Sequence, residues 1–195
     1  MVLLSVSSRA LARLEGLGVK VVALEPKTLA DVQRVMGKVG QVLQVPGAPA
    51  LWERIDNGVN LAAQSLPAAL RGTTVYFEVN SGPYAASESS FIGELLARLG
   101  LRNVVPGSLG PFPRLNPEFV VRADPQWILV ADDDATRLPA RPGWSGMRAL
   151  REGRVCVFTA AQGDVLVRAG PRLAEAALLM VRCLRGELAA PGATR

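Results

Sequence analysis

Apolar and polar positions along this chain fall into blocks whose period switches repeatedly from that of a strand to that of a helix. The sharpest block is residues 73–100, TTVYFEVNSGPYAASESSFIGELLARLG. Thr74, Val75, Tyr76, Phe77 and Val79 are β-branched or aromatic, the types that suit a buried pleated surface. Asn80, Ser81, Gly82 and Pro83 break the strand. Ser87 to Ser90 offer helix N-caps, with Glu88 available to the first turn. Phe91, Ile92, Leu95, Leu96 and Leu99 then recur at helical spacing until Gly100. Open α/β sheets bind ligands beyond the C-terminal ends of their strands, so residues 78–90 are the first candidate site. An ordinary strand-to-helix connection with no ligand gives the same pattern.

The rest of the chain follows the same alternation. Residues 2–6 form a short apolar strand, Ser7 and Ser8 cap a helix over 9–17, and 19–24 is a second strand. Its continuous apolar run implies a parallel strand covered on both faces. Thr28 caps a helix over 29–42, weakened by Gly37 and Gly40. Pro46 and Pro49 open a long helix over about 48–70, with Pro67 near its end. Beyond residue 100 the pattern predicts a short strand at Val104 and Val105, then a turn-rich loop over 106–114 carrying Phe112. Asn116 and Pro117 start a short helix, and 127–131 is a strand followed by Asp132, Asp133 and Asp134. A loop over 141–145, a helical turn at 147–150, a last strand over 154–158, a loop or short helix over 162–171 and an amphipathic helix over 172–188 complete the order. The class is α/β. The pattern divides into an N-terminal α/β portion (1–46), a connecting helix (47–71), a C-terminal α/β lobe (72–189) and a tail (190–195).

Composition narrows the chemistry. The 195 residues are 49% hydrophobic and 20% charged, a globular balance. The net charge of +5 raises nucleic-acid binding as an option, but the arginines are scattered and form no run or aromatic-interleaved stripe, so it ranks last. There is no histidine, which removes the commonest metal ligand and general base. Cys156 and Cys183 sit in no CxxC pair; one disulfide and two small buried side chains are both compatible with the sequence. The apolar runs are too short to span a membrane, and residues 1–6 lack the basic start of a signal peptide.

Few constellations suggest catalysis. Glu78 has no histidine or nucleophile to work with, the serines lie in no G-x-S-x-G elbow, and there is no phosphate loop. Asp132 to Asp134 at a strand end are the one candidate for a divalent metal, with a solvated acidic turn as the plain alternative. They support a second hypothesis, a cytosolic α/β enzyme or nucleotide-binding half-domain. Tyr84, Phe112 and Trp144 fall on three predicted loops where flat aromatics could wall a large planar ligand. Packing of each under its own loop is the plain alternative.

Read in order, VYFEV, GPYAASESSFIGELLARLGLRNV, NPEFVVRADPQWILVAD, RPGWSGMRALREGRVCVF and GDVLVRAGPRLAEAALLMVRCL resemble the second lobe of class III periplasmic substrate-binding proteins. Those proteins serve ABC importers of cobalamin, haem and iron–siderophore chelates. Upstream, LARLEGLGVKVVALEPKTLADV matches in order too, so the resemblance spans nearly the whole chain, and the cobalamin binders are nearest in the strand VYFEV. It implies a parallel-sheet C-terminal lobe joined by a long backbone helix to a partial N-terminal lobe, with no enzymatic activity. It implies a corrinoid or similar metal chelate as ligand, an ABC permease and ATPase complex as partner, and a periplasmic location. Carried over position by position, it places Tyr84, Phe112, Trp144, Asp164 and Arg168 at the ligand and Glu118 at the permease. Family members carry a further first-lobe stretch upstream. The resemblance therefore implies a shortened N-terminal lobe whose sheet edge at residues 2–6 could pair with a second copy.

Overall fold

The computed structural model describes residues 2–4, 11–80, 82–131 and 133–188. β1 (Val2–Leu4), α1 (Leu11–Gly16), β2 (Val21–Ala23) and α2 (Leu29–Val42) form the N-terminal unit. β1 and β2 pair in parallel, as the apolar run at 19–24 predicts. The caps expected at Ser7 and Ser8 lie outside the described residues. α2 starts where Thr28 predicts, through a reciprocal capping box: Thr28 accepts from the Asp31 N–H, and the Asp31 carboxylate accepts from the Thr28 N–H. The backbone N–H groups of Thr28 and Lys27 are the main reason the Asp31 carboxyl is held below its ordinary range.

α3 (Ala48–Ser65) is the long helix, and it stops five residues before the predicted end. Leu66 turns to extended backbone ahead of Pro67, as a residue preceding proline tends to do, and a single 3₁₀ turn, Ala68–Leu70, follows. α3 is more than a connector, because Ile55, Val59 and Ala62 are buried in the core of the C-terminal unit.

That unit is built on β3 (Thr74–Asn80), β4 (Tyr84–Ala85), α4 (Phe91–Arg98), β5 (Arg102–Asn103), α5 (Pro117–Ala123), β6 (Trp127–Val130), α6 (Arg148–Arg151), β7 (Val155–Val157), α7 (Ala160–Val167) and α8 (Leu173–Leu184). β3, β6 and β7 run parallel in that spatial order. On the other side of β3, β5 pairs in parallel with its first half and β4 antiparallel with its second half.

Because side chains alternate across a strand, β3 feeds two cores. Val75 and Phe77 join Leu129, Cys156 and Phe158 on the face covered by α3, α4 and α8. Tyr76 joins Ile128 and Val130 on the opposite face, under Val120 of α5, Met147 and Ala149. The near-continuous apolar strands of the sequence thus correspond to a sheet buried on both sides. The structure also settles the cysteines: Cys156 of β7 and Cys183 of α8 are bonded, tying the sheet to its covering helix.

Two close approaches need glycine. At Gly93 a Cβ would collide with the Ser87 carbonyl, and at Gly163 with the Ala131 carbonyl. Each sets a helix directly against the chain at a strand's C-terminal end.

Candidate functional site

The C-terminal ends of β3, β6 and β7 lead into residues 82–90, 131–147 and 159–168, while β2 leads into residues 24–27 of the other unit. A cavity of about 270 Å³ opens where the two units face each other. It is lined by Glu25, Pro26 and Lys27 on one side and by Leu109, Gly110, Pro111 and Phe112 on the other. Phe112 is the one sequence-predicted ligand residue that lines it. Its ring packs edge-on against Phe91 at 5.9 Å. The segment that carries it is held by backbone bonds from the Ala85 N–H to the Pro113 carbonyl and from the Ser87 N–H to the Pro111 carbonyl. A larger groove of about 500 Å³ lies between α2, the start of α3 and residues 169–171, with an almost wholly apolar lining.

Tyr84 stands on β4 rather than in a loop, 42% exposed, with an antiparallel bridge to Arg114. Asp164 and Arg168 lie one turn apart at α7 and its C-cap. The guanidinium donates Nε and Nη2 to Asp164 Oδ1 at 3.1 and 2.9 Å, and both side chains are exposed. An exposed pair of this kind contributes little to stability, so its charge and donors remain available to a ligand. Tyr84, Asp164 and Arg168 all follow strand ends, but none of them lines the Phe112 cavity.

Trp144 requires a correction. The sequence places it on a loop as a ligand wall, whereas its side chain is completely buried. The 3₁₀ turn Trp144–Gly146 folds the indole onto the sheet, edge-on to Tyr76 at 5.9 Å and 82°. The Arg141 guanidinium lies 4.5 Å above the indole ring. That guanidinium grips Glu78 with both forks, Nη1 to Oε2 at 2.6 Å and Nη2 to Oε1 at 2.7 Å, and the Tyr76 hydroxyl donates to Oε2 at 3.1 Å. Glu78 is 1% exposed and Arg141 17%. Burial, then the charge of Glu78, raises the Tyr76 phenol far above the ordinary tyrosine range. This closed ring of Tyr76, Glu78, Arg141 and Trp144 clamps the segment after β6 to the end of β3. Sequence reasoning noted Glu78 only as lacking a catalytic partner. The missed signal is its position two residues after Tyr76 on a strand buried on both faces, where a carboxylate requires a cation.

Glu118 is exposed on the first turn of α5, after the cap at Asn116. Of the three aspartates, Asp132 lies outside the described residues, and Asp133 and Asp134 open the 3₁₀ segment Asp133–Ala140. Among the described residues no group of three His, Cys, Asp or Glu side chains comes together to hold a metal ion.

The family description "Periplasmic binding protein" matches residues 2–161. A search of curated proteins by sequence finds no match. Among solved structures, the periplasmic haem-binding protein BhuT, in complex with two haems, is 26% identical; the match covers 96% of this chain and 75% of that one, with a TM-score of 0.72. A possible iron-binding periplasmic protein from Staphylococcus epidermidis is 21% identical over 91% of this chain and 74% of the other, at a TM-score of 0.74. The vitamin B12 binding protein BtuF of Vibrio cholerae is 19% identical over 92% and 70%, at 0.65. The latter two show the fold alone. With a family match over most of its length, this chain belongs to the periplasmic binding proteins, which serve transport and are not enzymes.

Proposed function

We propose that this chain is the substrate-binding component of an ABC importer and holds a metal chelate, a corrinoid such as cobalamin, between its two units. The observation that supports this most is the cavity in which Phe112 and Pro111 face Glu25, Pro26 and Lys27 across the units. A flat aromatic against a polar wall suits one edge of a large planar ligand with a polar rim, the rest of which lies outside this cavity of about 270 Å³. Tyr84 and the Asp164–Arg168 pair supply outer polar contacts to the same ligand. The Cys156–Cys183 bond supports an oxidising, periplasmic setting. Glu118, exposed at the start of α5, docks on basic residues of the permease, and Glu118→Arg lowers permease binding while leaving ligand affinity unchanged. A second copy pairs along β1, which light scattering reads as a dimer mass.

Haem is the second reading, favoured by the identity to BhuT. A haem iron takes an axial ligand from the protein, whereas cyanocobalamin carries both of its own. This sequence has no histidine, its two cysteines are bonded and Tyr76 is buried against Glu78, so the exposed phenol of Tyr84 is the anionic axial ligand the haem reading calls on. Absorbance titrations with cyanocobalamin and with haemin separate the two. Saturable binding of cyanocobalamin that Phe112→Ala weakens supports the corrinoid. A haemin spectrum lost in Tyr84→Phe supports haem. Binding of neither overturns both the corrinoid and the haem readings.

A further inference from the structure

The N-termini of α2 and α4 meet across the two units, and each satisfies the other's first backbone donor. The Leu29 N–H, at the first position of α2, donates to the Glu94 carboxylate of α4 at 2.6 Å. The Phe91 N–H, at the first position of α4, donates to the Lys27 carbonyl at 2.5 Å. Local caps do not serve these two donors. Thr28 takes the N–H of Asp31, and Ser90 takes the N–H of Gly93. A helix leaves its first N–H groups without intrahelical partners, so both helices obtain from the opposite unit what their own turns do not provide.

The crossed pair lies at the edge of the cleft. Lys27, whose carbonyl is one acceptor, lines the 270 Å³ cavity, and Phe91, whose N–H is one donor, packs against Phe112 of the opposite wall. Glu94 is half-buried and also lies near the positive end of the α2 dipole. We propose that Glu94 is a positioning residue: with the Phe91–Lys27 bond it latches the two units at a fixed angle and thereby sets the width of the ligand cleft. Ligand capture then starts from a pre-set opening, and little motion is spent on closure. The statement about the ligand rests on the transport reading above; the latch itself does not.

The contact is directional and depends on reach, which separates it from simple attraction between a carboxylate and a helix end. Glu94→Gln keeps an acceptor oxygen at the same distance. Glu94→Asp keeps the charge but is one methylene too short. Both are mild enough to fold. The readouts are amide hydrogen exchange at Leu29 by NMR, and the distance distribution between spin labels at Gln33→Cys on α2 and Arg122→Cys on α5, with the native disulfide intact. The latch predicts that Glu94→Asp speeds Leu29 exchange by about tenfold or more and broadens the distance distribution, while Glu94→Gln stays near wild type. The opposite ranking, with Asp like wild type and Gln loosened, assigns the effect to charge alone and overturns the latch. So does identical behaviour in all three proteins. A cyanocobalamin and haemin titration on the same proteins keeps the two ideas apart. Loosened units in Glu94→Asp, with no binding of either ligand by the wild-type protein, overturn the ligand reading and leave the latch standing.

Discussion

The buried clamp between Glu78 and Arg141 gives the sharpest test of how the cleft side is held together. Arg141→Met keeps most of the aliphatic length over Trp144 but removes the fork, leaving the 1% exposed Glu78 carboxylate without its bidentate cation and with the Tyr76 hydroxyl as a neutral donor. Removing one partner of a buried ion pair costs about 3–5 kcal/mol, because the abandoned charge stays desolvated. That is a large share of the roughly 5–15 kcal/mol that holds a typical domain together. The double change Glu78→Leu with Arg141→Met removes both charges and replaces them with apolar groups of similar size, a swap that is often close to neutral. The expected result in urea unfolding, followed by far-UV circular dichroism, is a single variant lowered by about 3 kcal/mol or more. The double variant should recover most of that loss, with a coupling well above the roughly 0.5 kcal/mol at which independent sites add. Near-UV circular dichroism should change with the single variant, since Trp144 lies under the guanidinium. A cost below about 1 kcal/mol for Arg141→Met, with simple additivity in the double variant, would show that Glu78 is solvated or otherwise paired and would refute the reasoning.

Three further outcomes follow from the geometry. Gly163→Ala should lower the melting temperature, because the roughly 1 kcal/mol gained in helix propensity is outweighed by overpacking against the Ala131 carbonyl; an unchanged or higher melting point would show that α7 shifts freely. Replacing both cysteines by alanine should cost about 3–4 kcal/mol by the loop-entropy relation for a bond between residues 27 apart, measured by urea unfolding against the oxidised protein. Tyr76 is neutral in the fold with its ionisation pushed up, so the stability it contributes is fully present below pH about 10, the unfolded value, and is lost as pH rises above it. A tyrosinate signal from Tyr76 should therefore appear only together with alkaline unfolding, and its appearance in the folded protein near pH 10 would count against the buried clamp.

Much of the frame was legible because local chemistry decides it. The cap at Thr28, the cap at Asn116 with Pro117, and the buried strand through Val75, Tyr76 and Phe77 are consequences of residue type and spacing within a few positions. The ordered motifs likewise carried the family, since their sequence of strand, loop and helix survives without any single exact match. The pattern put Phe112 on a loop, and the family resemblance put that loop at the cleft; the structure sets it on the cavity wall opposite Lys27. What the tertiary structure decided are relations between residues far apart in the chain, on which spacing is silent. Trp144 looked like a loop aromatic until the 3₁₀ turn carried it onto the face of the sheet. Arg141 and Glu78 are 63 positions apart, and Leu29 and Glu94 are 65 apart. The cysteines left open in the sequence became a bond only when β7 was laid against α8. A buried charge or an orphan helix donor must find a partner somewhere; the sequence states the need, and only the packed fold selects which residue meets it.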